Sequence, residues 1–120
     1  MSDLCAITNS NGTPFNARLV MVGDRYGRDD CLTHGDPMWG RPAQPDALPL
    51  VEFYDASQDP AKFGSRGQFV SRYRLDTLAD AARDNVGISL CGGVSKWFVD
   101  ADNVRDVFAW ASIAAIARTN

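Results

Sequence analysis

The chain has 120 residues, 45% of them hydrophobic and 22% charged, with a formal net charge of -3. A chain of this length buries about two-thirds of its unfolded surface, enough for one domain with a real core, and this composition is not that of a disordered or collagen-like protein. The acidic balance argues against a protein that grips phosphate backbones, which requires a basic surface.

The acids are almost all aspartate, with Glu52 as the single glutamate, and aspartate is the form that turns and helix N-caps prefer. Cys5, Cys31 and Cys91 are odd in number and far apart, which is neither a disulfide framework nor a zinc pattern. A reducing, cytoplasmic setting is therefore expected. The opening "MSDLCAITNSNGTP" has neither the basic nor the apolar run of a signal peptide. The longest nearly apolar run, Val107 to Ala117, is far short of the roughly 20 residues of a membrane span.

In chain order, residues 1–14 are polar and turn-rich and predict a flexible leader, with a single domain over 15–120. "ARLVMV" (17–22) predicts a strand by its β-branched content, and "GDRYGRDD" a turn. "CLTH" (31–34) predicts a short second strand. From Gly35 to Pro49 the chain holds four prolines and two glycines, which predict a long irregular loop. "LVEFYD" (50–55) alternates, with Val51 and Phe53 on one face and Glu52 and Tyr54 on the other. A loop ending in "FGSRG" follows. "QFVSRYRL" (68–75) predicts a strand with Phe69, Tyr73 and Leu75 on the core side and Gln68, Arg72 and Arg74 facing out.

A short helix then runs to about Asn85, capped by Asp76 or Thr77. "GISLC-GG-VSKWFV" predicts two strands joined by Gly92-Gly93 in a type I′ turn. Asp100 caps a final helix from Ala101 to about Arg118. The predicted order is ββββ-α-ββ-α: an α+β fold with a mainly antiparallel sheet of about six strands, two helices, and the C-terminal helix packed on the sheet.

The most chemistry-like stretch is "RDDCLTHGDP", with the only histidine, one cysteine and three aspartates. On a strand, Cys31 and His34 are an odd offset apart and point to opposite faces, so they cannot converge on one substrate. A zinc site needs four ligands, or three and a water, which His34 with Asp29, Asp30 and Asp36 does not supply convincingly against their ordinary role as turn residues. The expectation is a protein with no catalytic residues, no metal and no cofactor; the alternative is a small enzyme using Cys31 or His34. "RGQFVSRY" shares basic, glycine and aromatic positions with RNA-recognition motifs, but its aromatics fall in the wrong register for stacking bases. "GSRG" lacks the flanking helices a nucleic-acid-clamping G-x-x-G loop needs. No direct nucleic-acid partner is expected.

Binding features stand out more than catalytic ones. On the last helix Val104, Val107, Phe108, Ala111 and Ala115 form one apolar face, while Trp110, Ile113 and Ala117, with Ile116 beside them, form a second. A helix apolar on both sides has to be covered on both sides, by its own chain, by a second copy or by another protein. The long loop carries Met38, Trp39 and Arg41, residue types enriched at binding hot spots. Secondary candidates are an acidic stripe, Asp76, Asp80 and Asp84, and the basic pair Arg72 and Arg74.

"RYGRDDCLTH", "PLVEFYDA", "GQFVSRYRLDTL" and "GGVSKWFVDADNVRDVFAW" together resemble short accessory proteins encoded on bacterial integrative elements and prophage-like islands. The likeness covers Ala17 to Trp110, and the group has no established catalytic residues to carry over. This chain departs from the pattern in its longer loop, 35–49, and its polar leader. The resemblance implies a context in which small acidic proteins bind and block a host protein, as anti-CRISPR proteins do. The expected function is a non-enzymatic inhibitor of a bacterial host or defence protein; a homodimeric accessory protein is the alternative. From the strand geometry, His34→Ala should leave binding activity intact, as read by affinity capture; loss of activity in a still-folded variant would contradict it.

Overall fold

A computed structural model describes residues 4–27 and 40–119. In chain order the elements are β1 (Leu4–Thr8), β2 (Pro14–Val20), β3 (Leu50–Asp55), α1 (Pro60–Phe63), β4 (Gln68–Arg74), α2 (Leu75–Arg83), β5 (Ile88–Ser89), β6 (Phe98–Val99) and α3 (Ala101–Thr119). The first four strands form one antiparallel sheet in the order β1-β2-β3-β4, and β5 and β6 pair as a separate two-stranded ribbon. The α+β class and the packing of the last helix on the sheet are as the sequence predicts. The expected strand "CLTH" lies outside the described residues.

Several boundaries differ from expectation for identifiable reasons. The segment read as a polar leader contains β1, because Leu4–Thr8 pairs in register with Pro14–Arg18 and Ile7 reaches the core. The turn between them closes on Asn9, whose Oδ1 accepts from the Asn11 and Thr13 amides at 3.0 and 2.9 Å. This Asx turn was hidden by a reading that took the polar run as disorder. β2 ends at Val20 because the Asp24 carboxylate accepts from the Met21 amide at 2.8 Å and the Asp24 amide donates to the Met21 carbonyl. The loop before β4 contains α1, started by Asp59 capping the Ala61 amide and by Pro60 in the first turn. Gly67, at φ +106°, lets the chain return beside β3; a Cβ there would lie 2.2 Å from the Asp55 carbonyl oxygen.

The expected two-residue hairpin does not form. A type I′ turn needs positive φ at both central residues, and of Gly92 and Gly93 only Gly93 has it, at +80°. The Val94 amide instead donates to the Cys91 carbonyl, a one-turn 3-10 helix covers Ser95–Trp97, and Leu90 N–H meets the Trp97 carbonyl at 2.8 Å. The pairing then shrinks to Ile88 with Val99 and Ser89 with Phe98.

One face of the sheet presents Ile7, Phe15, Ala17, Leu19, Val51 and Phe53 to the helices. α2 adds Leu78 and Ala81, and α3 adds Val104, Val107, Ala111 and Ala114. Full burial of side chains such as Phe53 or Leu78 is worth about 1.5–3 kcal/mol each, so this layer carries most of the stability. On β4 the expected facing fails at Phe69. The register to β3 shifts between Phe53 and Tyr54, with Ser71 opposite Phe53 but Phe69 opposite Tyr54, so Val70 is the extra residue of a bulge. The bulge resets the alternation. Tyr73 packs with the helix-side core and Arg72 lies on the opposite face, both as predicted, whereas Phe69 joins Arg72 on that other face.

That other face is not open either. Tyr26 and Gly27, with Ala43, Ala47 and Leu48 from the described parts of the long connection, pack over it. Val20, Tyr26, Ala43 and Leu50 make a second small core with Ala47 and Leu48 against it. Consequently every residue of β3 is buried, including Glu52 and Asp55.

Glu52, with no exposed surface, is held by four donors. Arg18 Nη1 reaches Oε1 at 2.7 Å and Tyr54 Oη donates to it at 2.8 Å; Arg72 Nε and the Gly27 amide each reach Oε2 at 2.8 Å. Arg72 also lies between the rings of Tyr26 and Phe69, at 4.6 and 4.4 Å from their centroids. Glu52→Gln leaves two buried guanidinium groups without their counter-charge and is expected to cost about 3–5 kcal/mol in urea unfolding. A loss below about 1 kcal/mol would contradict this role.

Candidate functional site

The sequence candidates separate into three groups in the structure. Met38 and Trp39, together with Cys31 and His34, lie outside the described residues. Arg41 is exposed, and its carbonyl accepts from the Tyr26 amide at 3.0 Å, which ties that part of the loop to the second core.

The charged candidates are mostly spent on neighbours. Arg72 points away from the helices as predicted but is not solvated, because the loop layer covers that face and the guanidinium meets Glu52. Arg74 is exposed and pairs with Asp76 at 3.2 Å, which raises the guanidinium and lowers the carboxyl from their ordinary values. Arg83 pairs with Asp80 at 3.3 Å and Asp84 at 3.2 Å. The stripe Asp76, Asp80 and Asp84 is therefore interleaved with two arginines and presents little net negative field. Sequence spacing placed the aspartates on one helix face but could not show that Arg74, from the preceding strand, turns back to meet them.

The second face of α3 divides. Trp110 is half-buried and packs against the helix-side core, while Ile113 is 62% exposed and Ala117 is exposed as well. Ile116, also 62% exposed, stands on the same outer side, as does Ala109. At 100° per residue these four span the outward arc of the last turns, whereas Asp102, Arg105 and Asp106 occupy that arc in the first turns. The outer face is thus charged at its N-terminal half and apolar at its C-terminal half. No described segment of the chain covers it.

This end of the helix is fixed in place. Arg118 meets the Asp24 carboxylate through both terminal nitrogens, at 2.7 and 2.9 Å. The pair ties the last turn of α3 to the turn at Met21–Asp24, whose tip is Val22, 67% exposed. Half of the exposed large apolar residues among the described residues, Val22, Ile113 and Ile116, therefore stand at one end of the molecule on a rigid support. Sequence reading missed Val22 because it assigned that residue to a strand.

A second apolar feature lies beside the β5–β6 ribbon. Asn11, Ser89, Gly93, Val94, Ser95 and Phe98 line an open cleft of about 420 Å³. Its walls are well anchored: Asn9 Nδ2 donates to the Lys96 and Phe98 carbonyls at 3.0 and 2.8 Å, and Asn11 Nδ2 to the Ser95 carbonyl at 2.9 Å. Trp97 Nε1 donates to Asp55 at 2.8 Å. Asn9 could have been suspected from its place in "TNSNGT", but its partners are nearly 90 residues away and no local signal names them.

Glu52 is saturated by donors. Cys5 is half-buried, and burial, followed by the nearby Asp106, pushes its thiol above the ordinary value, which makes it a poor nucleophile. Among the described residues no cluster of three or more His, Cys, Asp or Glu is placed to hold a metal ion, and no helix is long and apolar enough to cross a membrane. No protein-family profile, curated protein or solved structure matches the chain.

Burial alone would raise the Asp55 carboxyl. The Ser57 hydroxyl, the Trp97 indole, the Ser57 amide and the Gln58 amide group outweigh it and hold the carboxyl below its ordinary 3.8. Asp24 behaves likewise: burial raises it, but Arg118 and the Met21 amide prevail. A carboxylate with a lowered folded-state pKa stabilises the fold above its unfolded value, and that contribution fades as pH falls through the folded value. Stability should therefore decline with acid below about pH 4. Asp55→Asn should be less stable than wild type at pH 7 and show a shallower acid decline; an unchanged profile in thermal melts would contradict this.

Proposed function

We propose that the protein works by binding another protein, a bacterial host or defence component that it blocks, and not by chemistry of its own. The observation that carries this reading is the outer face of α3, where Ile113 and Ile116 are each 62% exposed on a helix whose other side is fully packed. Leaving two large aliphatic side chains side by side in water forgoes burial worth about 1.5–3 kcal/mol each. A partner that covers them recovers it. The rigid attachment through Arg118 and Asp24 adds to the argument, since a preorganised surface loses less entropy on binding.

The blocking role and the bacterial setting rest on the resemblance of the sequence motifs to accessory proteins of mobile elements. The net charge of -3 is compatible with a basic partner surface. Arg41, with Met38 and Trp39, stays a second candidate contact; Trp110 does not, because its packing against the core makes it a structural residue first.

The test is affinity capture of the tagged protein from a nuclease-treated bacterial lysate, run in parallel with the double variant Ile113→Asp, Ile116→Asp. Both positions are exposed, so the variant should melt close to wild type. Its capture of a stoichiometric partner should fall about tenfold or more, equivalent to at least about 1.4 kcal/mol. Equal capture by both proteins would remove α3 from the interface. Light scattering on the purified protein separates this reading from the homodimer, which would show twice the chain mass and lose it in the same variant.

A further inference from the structure

We draw no further inference here: the strongest candidate, the apolar cleft of about 420 Å³ that Val94 and Phe98 line between the β1–β2 turn and the β5–β6 connector, carries nothing because nothing in the structure shows what covers it.

Discussion

A single carboxylate in the middle of the sheet decides how the two faces of this protein are used. Glu52 is the only glutamate in the chain and lies on the central strand pair, on the face away from the helices. Moving an ion pair out of water costs several kcal/mol per charge unless geometry and hydrogen bonds compensate. Here the compensation draws on β2 through Arg18, on β3 itself through Tyr54, on β4 through Arg72, and on the long connection through Gly27. The arrangement therefore fixes more than its own energy. A slip of one residue in β3 would turn Glu52 into the aliphatic core beneath α2 and α3 and bring Val51 or Phe53 against the arginines.

The same constraint explains the long connection. Its described parts hold only a one-turn 3-10 helix at Pro45–Ala47, yet they form a second layer over the sheet. Arg18 Nη1 also donates to the Arg25 carbonyl at 3.2 Å, and the Tyr26 ring stacks on Arg72, so the layer is held by polar contacts around a small apolar cluster. With helices on one side and this layer on the other, the sheet offers no open face for a partner. Apolar surface then remains chiefly at the margins: the outer side of α3, the tip at Val22 and the cleft by Phe98. Of these margins among the described residues, only the α3 face lies on a long, well-anchored element.

Much of the architecture was legible in the sequence because alternation and helical periodicity are strong in the elements that form the core. "LVEFYD" gave its strand and the sidedness of its residues, and Val104, Val107 and Ala111 gave the inner face of α3. What was not legible depended on distant partners. The short apolar run of β1, LCAIT, looked like part of a polar leader because its strand character depends on pairing with Pro14–Arg18. Arg72 looked solvent-facing because nothing local marks the loop layer that covers its face, and Phe69 looked core-facing because the bulge at Val70 reverses its side. The candidate contact surface was half legible: periodicity named Ile113 and Ala117, but only the packing separated them from Trp110, which turns inward.

The most direct test of this account is amide hydrogen exchange at Tyr26, Gly27 and Ala43. Their N–H groups donate to the Arg41 carbonyl, the Glu52 carboxylate and the Asp24 carbonyl. If the buried carboxylate organises a true second layer, these amides should exchange as slowly as those of β3, through opening of the whole domain. Exchange at the rate of a solvated loop, with β3 still protected, would show that the layer opens on its own. The sheet would then have a face to offer, and the case for α3 as the principal contact would lose its foundation.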